Sequence, residues 1–239
     1  MASRFPIVDA HQHFWDPRAN YHPWLCDPEP IAFRYGDYSA LRRPYLPADY
    51  LADAGAHEVV KTVYVETEWD PHDPLGETAW VERLRRETGL PTVMVAQAWL
   101  DRDDAAAVLE RQAAFPFVRG IRHKPRRGAM RDARWRAGDA RLARHRLGFD
   151  LQAPWTELGV PGARWSAVLN REVVLSAIEV FGAARAMFAS NFPVDGLCAS
   201  FDEIYSGFRE IVASFSATEQ RALFHDNALR HYAMEEPAP

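Results

Sequence analysis

Six short apolar runs, rich in β-branched residues, alternate along this chain with longer segments of helical periodicity, and that order leaves few folds open. The runs are Ile7–Phe14, Val59–Thr67, Pro91–Leu100, Phe117–His123, Leu147–Gln152 and Ala186–Asn191. Helical patterns occupy Gly76–Thr88, Asp103–Ala114, Ala129–Arg144, Arg171–Phe181, Phe201–Ser214 and Ala217–Tyr232. Strands apolar on both faces, separated by amphipathic helices, predict a parallel sheet covered by helices. Asp101 or Asp103 is placed to cap the helix over 103–114, and Ser216 stands in capping-box spacing with Glu219. No internal repeat, low-complexity tract or linker interrupts the pattern, so residues 1–239 read as one domain. Long polar segments follow several strand ends, notably Asp16–Ala56, which is where β/α enzymes build their sites.

One interval is too short for a closed barrel. Between the fifth run and the last, roughly 33 residues hold a single helical pattern, whereas an eight-unit barrel needs two more strands and their helices there, in about 250 residues overall. The join falls near Trp155–Leu158. The expected fold is therefore an α/β, (β/α)₈ TIM-barrel-like domain lacking about two β/α units between Trp155 and Glu157.

The first run ends in His11-Gln12-His13. Side chains alternate along a strand, so the two imidazoles project from one side, and at a barrel mouth that side is the interior. Such a pair can share a divalent metal or hold a polarised carbonyl. The net charge of −5 gives no general attraction to nucleic acid or an anionic membrane. A basic cluster over Arg119–Arg146 carries no nucleic-acid-binding motif and reads as a solvated helix face rather than a nucleic-acid site. Two distant cysteines, Cys26 and Cys198, suit a reducing compartment. With no apolar leader in Met1–Pro6 and no run of membrane-spanning length, the expected location is cytoplasmic.

The opening Val8-Asp9-Ala10-His11-Gln12-His13-Phe14-Trp15-Asp16 resembles the amidohydrolase-related (amidohydrolase 2) family, in the branch of sugar-lactone and 2-pyrone-4,6-dicarboxylate lactonases. Four other stretches share the resemblance: Tyr64–Asp70, Gly120–His123, Met187–Val194 and Asp226–Tyr232. It implies a metal-dependent-hydrolase barrel that opens a lactone or similar carbonyl compound. In some members a divalent metal, zinc or manganese, takes part; others work without one. His11 and His13 would be the metal ligands or carbonyl polarisers. Two departures stand out. The sixth strand's Asn-His pair has no counterpart between Trp155 and Glu157, and about 50 residues are missing relative to a complete barrel. The last-strand position that is usually aspartate is Asn191, whose neutral amide can orient a water but takes no proton from it.

Other groups are candidates from their places at strand ends. Arg122, Lys124, Arg126 and Arg127 are positioned to hold a substrate carboxylate, since guanidinium pairs with it bidentately. His123 either enters the mouth or caps its strand, and Glu66 either serves the site or pairs with an arginine of a neighbouring strand. Asp195 is a substitute base or a loop and capping residue. Trp15, Trp69, Trp99 and Trp155 follow strand ends and are placed to wall a pocket. The expected substrate is a small carboxylated or sugar-acid lactone. Set against hydrolysis are a catalytically degraded barrel that only binds, favoured by the missing unit and Asn191, and a decarboxylase of the same family. Exposed sheet edges in an incomplete barrel favour a homo-oligomer.

Overall fold

A computed structural model describes residues 5–124, 128–152 and 165–234. Five strands lie side by side in chain order, each parallel to its neighbour: β1 (Ile7–Gln12), β2 (Val59–Val65), β3 (Val93–Gln97), β4 (Val118–Arg122) and β5 (Gly148–Asp150). Parallel neighbours require crossovers, and helices supply them. α1 (Pro23–Cys26) and α2 (Pro47–Ala54) lie between β1 and β2, α3 (Gly76–Thr88) follows β2, α4 (Ala105–Ala113) follows β3, and α5 (Ala133–His145) follows β4. The helices α6 (Ala167–Phe181), α7 (Phe201–Ile211), α8 (Ala217–Arg221) and α9 (Asn227–His231) complete the described elements. The sheet is a curled half-barrel, an α/β architecture that matches a truncated TIM barrel.

Alternation along the strands sorts the core into two. Tyr64, Met94 and Ile121 face the helices and join Tyr50, Val81, Leu109 and Leu142 in the larger cluster. Val8, Ala10, Val63, Val65, Val93 and Val95 form a separate cluster with Ala228, Leu229, Tyr232 and Met234. In a closed barrel, side chains from all eight strands fill the interior. Here the last helix supplies apolar groups to the inner face, and the Tyr232 hydroxyl donates to Asp150 Oδ2 at the tip of β5 (3.0 Å).

The sixth run does not form a ladder strand. Residues 186–192 run beside β1, on the side opposite β2, held by Ala10 N–H to Phe188 O (3.4 Å), Asn191 N–H to His11 O (2.8 Å) and His13 N–H to Phe192 O (2.8 Å). Asp9 reinforces this contact. Fully buried, its carboxylate accepts from Ser190 N–H (2.8 Å), Ser190 Oγ (2.6 Å) and the Tyr50 hydroxyl of α2 (2.7 Å).

Three details differ from expectation. α4 starts at Ala105 behind Asp104, and neither Asp101 nor Asp103 caps it. The helix expected over Ala217–Tyr232 contains a π-helical turn, Ala222–Asp226, in which the Leu223 carbonyl accepts the Phe188 N–H (3.0 Å). α6 begins four residues before its predicted start, with Ser166 as N-cap. The capping box of Ser216 and Glu219 is present. The expected join near Trp155–Glu157, with Arg126 and Arg127, lies outside the described residues. Among the described residues, no helix is long and apolar enough to cross a membrane.

Replacing Asp9 with alanine strands a buried N–H and two hydroxyls without their acceptor. Asp9→Ala is expected to cost about 3 kcal/mol of unfolding free energy, read from urea denaturation.

Candidate active site

β1 ends where the two histidines meet. Its pairing with β2 slips between Asp9 and Gln12, and beyond the slip the rings of His11 and His13 lie edge to face, centroids 4.8 Å apart. Their Nε2 atoms are 3.1 Å apart. Both line a cavity of about 300 Å³ at the strand tips, as their shared face predicts.

Protons can be assigned at one of these rings. His13 Nδ1 lies 2.7 Å from the Val65 carbonyl, which only accepts, so Nδ1 carries the hydrogen. Burial, with the Arg122 charge beside it, pushes the His13 pKa down to about 3, so the ring is neutral at pH 7 and Nε2 bears a lone pair. His11 is shifted well down by burial and by His13. Yet His13 Nε2 also faces Asn191 Oδ1 at 3.1 Å. The amide is oriented by Asp195, whose Oδ1 accepts from Asn191 Nδ2 (2.6 Å) and from the Tyr35 hydroxyl (2.9 Å). Two lone pairs therefore point at each other across 3.1 Å, a contact that calls for a positive charge between them.

That donor set fits a divalent metal ion. Two neutral imidazole nitrogens and an amide oxygen converge on one point from two elements, and the Val65 carbonyl fixes the tautomer of one ligand from behind. Among the described residues no three His, Cys, Asp or Glu side chains gather as metal ligands, so the third position falls to the amide. An amide brings no negative charge, and Arg34, Arg122 and Lys124 line the same cavity. Each of these cations already has a carboxylate partner, Asp195, Glu66 and Glu68 in turn.

Asn191 adopts φ 52°, a left-handed conformation that asparagine tolerates. Glu68, φ 57°, shares it without that excuse. Its backbone N–H is held by Glu66 Oε2 (2.8 Å). Glu66 Oε1 accepts from Arg122 Nε (2.6 Å), and Arg122 Nη2 donates to the Glu66 carbonyl. Buried Glu66 therefore takes the pairing alternative, locking the tips of β2 and β4 while Arg122 keeps a face on the cavity. Lys124 pairs with Glu68 at the cavity wall.

Elsewhere the expected residues part company. His123 is buried beneath the loop after β3, its Nδ1 accepting from Leu100 N–H (3.3 Å) and Trp135 Nε1 (3.2 Å), and it does not line the cavity. Trp15 walls the cavity, whereas Trp69 and Trp99 line a neighbouring one. Asp195 does not cap α7, whose N-cap is Ser200; it organises Asn191, Tyr35 and Arg34. Burial raises its pKa. Arg34, Trp24 and Phe33 were not anticipated. All come from the long segment after β1, where the only sequence signal is an arginine set among aromatic residues.

Beneath the site, Tyr64 Oη (2.8 Å), Thr67 N–H (2.7 Å) and Thr67 Oγ1 (2.7 Å) all donate to Glu77 Oε1. Burial lifts the Glu77 pKa from 4.5 to about 7, with neighbouring Glu66 adding to the rise.

Strand tips bearing paired imidazoles inside a curled parallel sheet define a β/α-barrel architecture with its candidate site at the C-terminal strand ends. The chain belongs to the Amidohydrolase family, whose profile matches residues 8–164 and 152–234. The two matches overlap across the stretch where the barrel units are missing. An uncharacterized protein, y4mH, of Sinorhizobium fredii is 33% identical over 296 aligned positions, covering 96% of this chain and 99% of that one. Against 239 residues, that length leaves more than fifty positions with no residue here, as the missing units require. L-fucono-1,5-lactonase of Burkholderia multivorans is 28% identical, with 97% of each chain covered. A crystal structure of a Burkholderia multivorans amidohydrolase with bound zinc superimposes with a TM-score of 0.74 at 23% identity, covering 96% of this chain and all of that one.

Two outcomes follow. Asn191→Asp, which adds the missing negative charge, is expected to tighten zinc binding to the apoprotein at least ten-fold in a competitive chelator titration. Between pH 4.5 and 7, folding takes up a proton at Glu77, so its contribution to stability is fully present below pH 4.5 and is lost as pH rises through 7. Glu77→Gln should flatten that decline in pH-dependent denaturation.

Proposed function

We propose that the protein is a hydrolase that opens a small lactone, the ring ester of a sugar acid or carboxylated ring, by attack of water. The observation that carries this is the convergence of His11 Nε2, His13 Nε2 and Asn191 Oδ1 in a cavity bordered by three cationic side chains. The similarity to a lactonase over nearly the whole chain supports it. His11, His13 and Asn191 would hold zinc or manganese, which when bound supplies Lewis-acid polarisation of the ester carbonyl and acidifies a water.

The chain's own groups do the rest. Arg34, Arg122 and Lys124 bind the substrate's carboxylate or the acid that ring opening releases. Trp15, Trp24 and Phe33 shield the carbonyl from bulk solvent, which strengthens the charge interactions inside. Val65 O holds His13 in the tautomer that leaves Nε2 free. Asn191 cannot take the proton that the attacking water gives up. Among the described residues lining the cavity, Glu68 is the carboxylate, and we assign it that proton. The substrate is a small molecule, the location cytoplasmic. Exposed Val168, Val180 and Phe181 on α6, with the β5 edge that pairs with no further strand among the described residues, favour self-association.

A panel of aldono-1,5-lactones and carboxylated pyrones, followed by acid release with a pH indicator in the presence of zinc or manganese, tests this reading. His13→Ala is expected to lower kcat/KM at least about 100-fold. Hydrolysis that survives this substitution, or a metal-loaded protein inert on every lactone, overturns it, and inertness with retained ligand binding points to a binding barrel.

A further inference from the structure

Beside the first cavity lies a second, of about 340 Å³, under the loops after β2, β3 and β4. The two share Trp24, Ile31, Glu68 and Lys124 in their walls. Their partition is thus partly the Lys124–Glu68 ion pair, whose side chains are 39% and 46% exposed. An ion pair that open to solvent holds its geometry weakly, and an incoming polar ligand can part it.

The second cavity differs in chemistry from the first. Trp69 and Trp99 form its aromatic walls, and its polar groups are Gln97 and the carboxylates of Asp27, Glu29, Glu66 and Glu68, with Lys124. Half of those carboxylates are already ion-paired. Glu66 is bound to Arg122 and Glu68 to Lys124, while Asp27 accepts from the Tyr21 hydroxyl (2.9 Å). Trp99 already carries a cation, with Arg102 Cζ 3.8 Å from its ring centroid. What remains is an excess of hydrogen-bond acceptors beside indole surface. One acceptor is conspicuous: Gln97 is only 9% exposed, and its Oε1 has no partner among the described residues. A buried carbonyl of this kind costs free energy until a donor reaches it.

Indole faces beside carboxylate and amide acceptors, Asp27 and Glu29 among them, suit a ring that carries hydroxyl donors on its edge and C–H groups on its face. We propose that this cavity binds a sugar ring joined to the ring that opens in the first cavity, so that the substrate class is the lactone of a disaccharide acid. The inference rests on the lactone reading of the first cavity. Each volume stands near the lower end of small-molecule sites, so one ring fills one cavity and leaves the other free. Hydroxyls of the distal ring would donate to Gln97 Oε1 and to Glu68, freeing Lys124 for the acid group of the proximal ring.

The test is calorimetric binding of the ring-opened acids, which cannot be hydrolysed further, to the zinc-loaded protein: gluconate against maltobionate, with maltose as a probe of the second cavity alone. Maltobionate is expected to bind at least ten-fold tighter than gluconate. Trp99→Ala and Gln97→Leu, each checked for an unaltered melting curve, should bring that ratio close to one. Equal affinities in the unsubstituted protein, or a ratio that both variants preserve, overturn the proposal, as does displacement of maltobionate by a cationic probe such as spermidine from the Trp99 side. If neither acid binds, the lactone reading of the first cavity fails. Maltose binding that Trp99→Ala abolishes then upholds a sugar site in the second cavity, and its absence overturns that site.

Discussion

Half a barrel has two open edges, and everything at this site depends on how the chain secures one of them. The edge beside β1 is held by Asp9, whose buried carboxylate draws Ser190 against the strand while anchoring Tyr50 of α2 from the helical side. Burial raises the pKa of that carboxyl, so its three donors must offset a real desolvation cost. The payoff is positional. With Ser190 docked, the Asn191 N–H meets the His11 carbonyl and its side chain arrives 3.1 Å from His13. A two-histidine strand end becomes a three-donor centre only through this attachment.

The missing units leave a second problem, an inner face that no further strand opposes among the described residues. Apolar groups of the C-terminal helix settle it by packing on the inner valines of β1, β2 and β3. Tyr232 extends the arrangement to Asp150 of β5, so the last helix spans from the first strands to the last. Sequence similarity over 296 aligned positions, together with a TM-score of 0.74 to an amidohydrolase structure, fits a truncated form of the barrel fold.

Electrostatics then distinguish this site from one built on a carboxylate. Asn191 contributes an oxygen without charge, its orientation set by Asp195, and the surrounding cations Arg34, Arg122 and Lys124 pair with Asp195, Glu66 and Glu68. Glu66 shows how the local network is shared, since one carboxylate restrains both Arg122 and the strained backbone of Glu68.

Strand order, the parallel sheet, the pairing of His11 with His13 and the shortfall of β/α units were legible in the sequence, because apolar periodicity and strand alternation are local properties. The fate of Glu66, a pairing residue, and of His123, a strand-end histidine accepting two buried N–H groups, was not. Both depend on neighbours far along the chain, such as Arg122 and Trp135. Arg34 was hidden for the same reason, and so were the partners of Asp195, a residue read from sequence as a base or loop group: Tyr35, 160 positions away, donates to it. Sequence determined which side chains stand at which strand tips. Only tertiary packing decided which lone pairs converge, because directions in space are set by contacts that no local pattern records.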